Sequence, residues 1–133
     1  MRRALIASAV AAAALTGIAL ASSTPATSSR RAAPASWRRA CGWIVNPTPG
    51  NWSLVDRFGE WDLGQQGGHQ AIGLDEMPDL TTHDWQAENG SYGQGCACLD
   101  ILPAARSHRV ARLRWHRQLP LKTCRADPAL KTR

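Results

Sequence analysis

The stretch that decides the fold is GQGCACLD, residues 93–100. Cys96 and Cys98 are separated by one residue, so in an extended strand both side chains point to the same face. A bridge between them would be strained, because a disulfide requires a particular separation and angle of its Cα atoms. Each therefore needs a different partner, and the only other cysteines are Cys41 and Cys124.

The cellular compartment determines whether the cysteines can form stable disulfides, and the N-terminal sequence predicts export. Arg2 and Arg3 precede an uncharged, mostly apolar run over 4–20, and residues 19–21 (ALA) fit an A-x-A cleavage signal. These are the parts of a secretory signal peptide, which we predict at 1–21. The run is short and rich in alanine for a membrane anchor, so no transmembrane span is expected after cleavage. The protein is then exported, either periplasmic or secreted.

Four cysteines are an even set, which in a short exported domain favours two disulfides. Zinc bound by four thiolates is the rival, but zinc sites usually contain C-x2-C pairs. The C-x-x-C spacing of a dithiol oxidoreductase is also absent. Two connectivities remain. If strands over 96–102 and 110–118 pair as a hairpin, the following chain passes the end that carries Cys96. The predicted bridges are Cys41–Cys98 and Cys96–Cys124.

Residues 22–40 consist mainly of Ser, Thr, Pro, Ala and Arg, which predicts a disordered tether. Its four arginines could make weak contact with an anionic lipid or polysaccharide surface, although we favour a plain linker. Removing the tether is expected to leave the stability of the remainder unchanged. Residues 41–133 are predicted to be a single small β-rich domain, which is marginally stable without covalent help.

Charge is unevenly distributed along the predicted domain. Residues 41–105 contain nine acidic residues and one arginine, whereas 106–133 contain nine basic residues and one acidic residue. The domain is therefore neutral, and neutrality together with export argues against nucleic-acid binding. The halves of opposite charge indicate that the last strand lies against acidic neighbours.

Periodicity predicts a mainly β fold, either a small antiparallel sheet or a sandwich, with one short helix and disulfide stabilisation. Apolar residues alternate before and after 56–59, which resembles a hairpin turn with Gly59 in a left-handed conformation. A strand is predicted over 110–118. The helix is predicted to begin at Thr81 as N-cap and to end at Asn89-Gly90.

The charged face of the last predicted strand allows two interpretations. Arg112, Arg114 and His116 share that face. They could form an anion-binding row for lipid head groups or acidic glycans. They could instead pair with the domain's own acids, Asp100 being the first candidate, and we favour this second interpretation. Replacing Arg112 and Arg114 with alanine is then expected to cost at most about 1 kcal/mol.

The predicted domain contains five tryptophans, which can form a small core or an open stacking surface. Trp61, Trp85 and Trp115 fit the inward phase of their segments and are predicted to be core. The others neighbour loops rich in proline and glycine, where a ligand site is most plausible. The candidate ligand-binding residues are Trp43, Asn51, Trp52, Asp56, Asn89 and Tyr92.

Four motifs occur in order along the chain: CGWIVNPTPGNWSLVDRFGEW at 41–61, QGGHQA at 66–71, NGSYGQGCACLD at 89–100 and LPLKTC at 119–124. Together they resemble a family of short exported bacterial proteins known as domain-of-unknown-function family 4087. The resemblance covers 41–128. It implies an exported bacterial protein and adds no activity.

Catalytic motifs are missing from the sequence. There is no G-x-S-x-G or H-E-x-x-H, and the histidines are scattered. No catalytic residue, cofactor or metal is predicted, and the chain is more readily interpreted as a non-enzyme. The favoured function is a binding or structural role at the cell envelope, through contact with a protein or a glycan. The alternative is a small carboxylate-based hydrolase that acts on cell-wall or polysaccharide substrates.

Overall fold

The structure is a computed structural model that describes residues 35–130. The predicted signal peptide, most of the predicted tether and the last three residues lie outside this range. The described chain is mainly antiparallel β structure, as predicted, and its one α-helix lies at a position other than the predicted one. Its elements are β1 (Arg38–Thr48), β2 (Asn51–Asp56), β3 (Gly59–Gly64), β4 (Trp85–Asn89), β5 (Tyr92–Pro103), β6 (Val110–Leu119) and α1 (Leu121–Ala126).

The strands form one sheet in the order β3-β2-β1-β5, and two strands share the outer edge of β5. The first part of β5 pairs with β4 and the remainder pairs with β6. The sheet rolls up because the segment around Ala71 and Ile72 bridges its ends. The Ala71 amide donates to Leu63 of β3 over 2.8 Å, and the Ile72 amide donates to Ala111 of β6 over 3.1 Å. The result is a partly closed barrel.

The β2–β3 hairpin forms where the alternation predicted it. Asp56 and Gly59 face each other across a two-residue turn. The backbone of Gly59 has a φ of 131°, a region that favours glycine. The Asp56 carboxylate accepts a 2.7 Å hydrogen bond from the Phe58 amide and so stabilises the turn.

The barrel interior is filled by the inward residues of the strands. Leu54, Leu63, Leu99 and Ile101 are completely buried there. Trp61 is also buried in this core, as predicted, whereas the predicted core residues Trp85 and Trp115 are only partly buried at its margin. The full set of buried residues in this inner core is Ala40, Ile44, Leu54, Trp61, Leu63, Ala71, Leu74, Leu80, Ala97, Leu99, Ile101, Val110 and Leu113.

A smaller outer core lies on the opposite face of β1 and β5, beneath α1. Trp43, Val45 and Leu130 are buried in it together with the two half-cystines of the Cys96–Cys124 bridge. Alternate residues of β1 are therefore buried in different cores: Ile44 points into the inner core, whereas Trp43 and Val45 point into the outer core. The helix and its disulfide complete the outer core.

Both predicted disulfides are present. Cys41–Cys98 joins residues that face each other on the neighbouring strands β1 and β5. Cys96–Cys124 joins β5 to α1. The predicted hairpin of β5 and β6 is also present, and it places the chain after β6 beside Cys96, which is opposite Leu119 in the register.

The predicted helix over 81–89 is wrong. A 3₁₀ turn at Leu80–Thr82 is capped by Asp79, whose carboxylate accepts from the Thr81 amide, and β4 follows. Gly90, with a φ of 63°, starts the two-residue turn to β5 rather than ending a helix. A side chain at Gly95 would approach the Trp85 ring to 2.9 Å, so glycine at that position lets Trp85 lie over β5. Pairing with β5 therefore overrides the local helix signals.

The predicted boundary at residue 41 also needs correction. β1 begins at Arg38, and residues 38–40 pair with β5. Ala40 is 3% exposed in the inner core. Arg38 and Arg39 form ion pairs with Asp56 and Asp100. These residues are part of the sheet rather than a disordered tether, because their partners come from segments distant in the sequence.

Candidate functional site

A cleft lies on the outer face of the β2–β3 hairpin, where the β5–β6 loop approaches it. Its volume is about 650 Å³. The loop is attached to the hairpin by the Asp62 amide, which donates a 2.9 Å hydrogen bond to the His108 carbonyl. The lining residues used below are Asn51, Trp52, Glu60, Asp62, Gln65 and Arg109.

One end of the cleft combines an amide with an aromatic ring. Trp52 is partly buried and packs against the inner core, and its ring lies 6.4 Å from that of Trp85 at a tilt of 51°. Asn51 donates to Thr48 over 2.6 Å and accepts from the Gln66 amide over 2.9 Å. Because both ends of the Asn51 amide are held by the protein, its orientation is fixed before any ligand arrives.

The other end of the cleft is charged. Glu60 and Asp62 alternate with inward residues of β3 and therefore point outward into the cleft. Asp62 is held by an ion pair with Arg109 at 3.5 Å and by a 3.0 Å hydrogen bond from Gln65. The cleft thus contains two carboxylates, one guanidinium group and two amides beside an aromatic ring.

A stack of side chains supports the cleft from below. The His108 ring lies 4.8 Å from the Trp61 ring, nearly parallel to it. The Arg38 guanidinium carbon lies 4.1 Å from the Trp61 ring centre, a cation–π contact, and its guanidinium pairs with the buried Asp56 at 3.5 Å. The start of β1 therefore stabilises the position of the β5–β6 loop through Trp61.

The structure brings only two of the six predicted ligand residues into this cleft, Asn51 and Trp52. Trp43 is 2% exposed and lies in the outer core, so it presents no surface to a ligand. Asp56 is 6% exposed and is occupied by the hairpin turn and Arg38. Asn89 and Tyr92 flank the β4–β5 turn, outside the cleft lining.

Glu60, Asp62 and Arg109 were not identified as site residues from the sequence. The alternation of Glu60 and Asp62 with Trp61 shows that they point outward, but it does not show what faces them. Arg109 reaches them only because the sheet rolls up, and the sequence gives no local signal of that closure.

A second polar surface occupies the outer face of β1, β5 and β6. Arg39 donates two hydrogen bonds to Asp100, at 2.8 and 3.0 Å. These bonds lower the pKa of Asp100 below its ordinary value and outweigh the opposing effect of desolvation, and the positive charges of Arg39, His116 and Arg114 add to the lowering. Asp100 lies opposite Arg114 in the register, as expected. Its hydrogen-bonded partner, however, is Arg39 rather than an arginine of β6.

No curated protein and no solved structure shows a significant match to this chain. Within residues 35–130, no helix is both long and apolar enough to cross a membrane. The family model described as a protein of unknown function, DUF4087, matches residues 35–131. The match begins just before β1 and ends just after Leu130, so it spans the whole barrel with its helix. The chain therefore belongs to the DUF4087 family.

Proposed function

We propose that this chain is an exported binding module of the cell envelope, and that the cleft on the β2–β3 hairpin takes a neutral oligosaccharide. The single observation that carries the proposal is the set of fixed amide and carboxylate groups that line one open cleft beside Trp52. The hydroxyl groups of a sugar ring can both donate to the carboxylates and accept from the amides and the guanidinium group of this cleft. Such a site is mostly preformed, with few polar groups to orient the ligand.

Export is supported by the two disulfides, since these bonds persist in oxidising compartments. The N-terminal signal pattern adds to this argument from sequence alone. A periplasmic or secreted location would bring the cleft to cell-wall glycans. Envelope glycans are therefore the ligand class that best fits both the chemistry of the cleft and the compartment.

A hydrolase is the second candidate, and one observation favours it. Glu60 and Asp62 both line the cleft and are two residues apart on β3. That spacing separates their Cα atoms by about 7 Å. Both side chains point to the same side of the strand, so their carboxyl groups can approach one substrate together, as the paired carboxyl groups of glycosidases do. Against this, Asp62 is already held by Arg109 and Gln65, which suits a structural or ligand-orienting role.

The test is titration of the protein with chitotetraose, cellotetraose and maltotetraose, followed by tryptophan fluorescence and calorimetry. We expect one of these probes to bind and Asp62→Asn to weaken that binding roughly tenfold, because a lost hydrogen bond to a charged group costs about 1.5–3 kcal/mol. Glu88→Gln is the matched control, because Glu88 is exposed on β4 outside the cleft. The control variant should bind as the wild type does.

The same samples separate the two candidates. A binding module leaves the oligosaccharide intact, whereas a hydrolase releases new reducing ends that disappear in both Glu60→Gln and Asp62→Asn. Absence of binding to all three probes would contradict the proposed ligand class. Equal loss of binding in Asp62→Asn and Glu88→Gln would show that the cleft is not the site.

A further inference from the structure

Cross-strand rows of side chains cover the outer face of the sheet beyond α1. In one row Arg39, Asp100 and Arg114 lie side by side on β1, β5 and β6. In the row on one side of it, Arg117 lies opposite Cys98. In the row on the other side, Arg112 lies opposite Leu102. Directly opposed residues share a face of the sheet, so these side chains form one continuous surface.

Only one of the four arginines of this surface forms an ion pair within the described chain. Its only carboxylate, Asp100, is bound by both donor nitrogens of Arg39. Among residues 35–130, Arg112 and Arg117 form no ion pair, and Arg114 contacts an aromatic ring instead of an acid. The sequence-based expectation that Arg112 and Arg114 lie against the domain's own acids is met only in part. Arg114 lies opposite Asp100 and helps to lower its pKa, but neither Arg112 nor Arg114 forms an ion pair among residues 35–130.

An exposed aromatic ring belongs to the same surface. Trp37 immediately precedes β1 and is 39% exposed. The Arg114 guanidinium carbon lies 4.3 Å from its ring centre. The contact places the ring beside Arg114 and leaves part of it open to solvent. Arginine next to an open aromatic ring can bind an acidic sugar in two ways, by pairing with its carboxylate and by packing against its ring.

We propose that this surface, the basic face, binds an acidic polysaccharide whose repeating units carry carboxylates. The basic face consists of Trp37, Arg39, Arg112, Arg114 and Arg117, together with Asp100 between Arg39 and Arg114. Arg112 and Arg114 are two residues apart on β6, so their Cα atoms are about 7 Å apart. Arg39 lies two strands away from Arg114, about 10 Å across the sheet. A chain with regularly spaced carboxylates can contact several of these groups at once, on either side of Asp100.

The position of Asp100 favours such a polysaccharide chain over a membrane surface as the ligand. A continuous layer of anionic head groups would bring negative charge directly over the Asp100 carboxylate, which is about one third exposed on its side chain, 31%. A polysaccharide places its carboxylates at intervals and can set a neutral hydroxyl over that position. The basic face shares no residue with the lining of the β2–β3 cleft, so the two proposals stand independently.

The test measures binding of the full chain to tetragalacturonate by calorimetry over a range of salt concentrations. We expect binding that weakens as salt screens the charges. Arg112→Gln with Arg114→Gln should weaken it roughly tenfold or more, since each charge-assisted hydrogen bond contributes about 1.5–3 kcal/mol. Asp100→Asn should strengthen binding, because it removes the only carboxylate of the basic face. A gain of affinity cannot be produced by a misfolded variant.

Arg30→Gln with Arg31→Gln is the matched control. It removes the same charge from the N-terminal segment outside the described residues and should leave binding unchanged. A loss of binding equal to that of the β6 variant would contradict the proposal, as would Asp100→Asn that binds no better. Binding to vesicles with anionic phospholipid but not to tetragalacturonate would also overturn it, as would salt-sensitive self-association that accounts for the signal.

Discussion

Among residues 35–130, the inner core contains thirteen buried residues, whereas the outer core contains five, two of which are joined by a disulfide. On the inner face, strands that roll up meet one another, so apolar alternation alone completes the core. On the outer face, Trp43 has no opposing strand and is covered by α1, a helix of six residues. The comparison indicates that burial stabilises the inner core, while the outer core depends on a covalent bond.

The same disulfide explains why α1 lies over the outer core. A helix of six residues is far too short to be stable alone in water. It carries Cys124 in its second half, and the bridge to Cys96 fixes it over Trp43 and Val45. Beyond α1 the outer face of the sheet is charged instead of apolar, and Arg39 and Asp100 are hydrogen-bonded to each other there.

The largest effect is expected from truncating the inner core. Leu99 is completely buried at the centre of β5, so Leu99→Ala should lower the free energy of unfolding by about 4 kcal/mol through lost burial and a residual cavity. Leu130→Ala is the matched change in the outer core, at a residue that is 8% exposed near the end of the described chain. We expect it to cost about 1–2 kcal/mol. Equal losses in chemical denaturation would contradict the distinction between the cores.

The next effect concerns the disulfide of the outer core. Replacing Cys96 and Cys124 with alanine should cost about 3 kcal/mol, because the bridge closes a loop of 28 residues in the unfolded chain. Hydrogen exchange over α1 should rise while the inner strands stay protected. The control replaces Cys41 and Cys98, which join strands that already pair. That control should lower global stability but leave α1 protected, and a loss of α1 protection there would contradict the assigned role.

Much of the architecture could be predicted from local patterns. The alternation around Asp56 and Gly59 indicated the β2–β3 hairpin, and the single residue between Cys96 and Cys98 determined that each pairs elsewhere. The predictions that were wrong concerned segments whose structure depends on residues distant in the sequence. Residues 85–89 carry local helix signals but form β4 because β5 offers an unpaired edge. In the candidate site, Asn51 and Trp52 were identified because they neighbour a Pro/Gly-rich loop, whereas Arg109 joins them only through closure of the barrel.

Removal of the N-terminal residues tests how much residues 38–40, which contribute to both faces of the sheet, add to its stability. A chain that begins at residue 41 loses Ala40 from the inner core and leaves Asp56, whose side chain is 4% exposed, without its Arg38 partner. We expect a loss of about 2 kcal/mol relative to a chain that begins at residue 35, since a buried charged group deprived of its partner is costly. Arg38→Ala in the longer chain should reproduce most of the loss, and Arg106→Ala should not. Equal melting temperatures for the two chains would restore the tether interpretation.

The smallest effect is expected on the charged part of the outer face. Because Arg39 lowers the pKa of Asp100, the ion pair contributes stability above the ordinary carboxyl pKa of about 4, and this contribution is lost as pH falls through the lower pKa of the folded state. Asp100→Asn should therefore reduce stability at pH 6 by less than about 1 kcal/mol, as is usual for a partly exposed pair. The difference from the wild type should shrink towards zero as the pH approaches 3.

Subtraction of the variant from the wild type is essential to this measurement. The pKa of Asp79 is also lowered, by hydrogen bonds from the Thr81 hydroxyl and amide, so the wild-type profile alone mixes two carboxylates. Asp79 is unchanged in Asp100→Asn and cancels in the difference. Chemical denaturation at several pH values in low salt provides the data, and 1 M salt should reduce the difference at pH 6 by screening the pair. A variant that is more stable than the wild type at pH 6 would mean that Asp100 is destabilising when charged, and that the arginines of the basic face do not act on it as the geometry indicates.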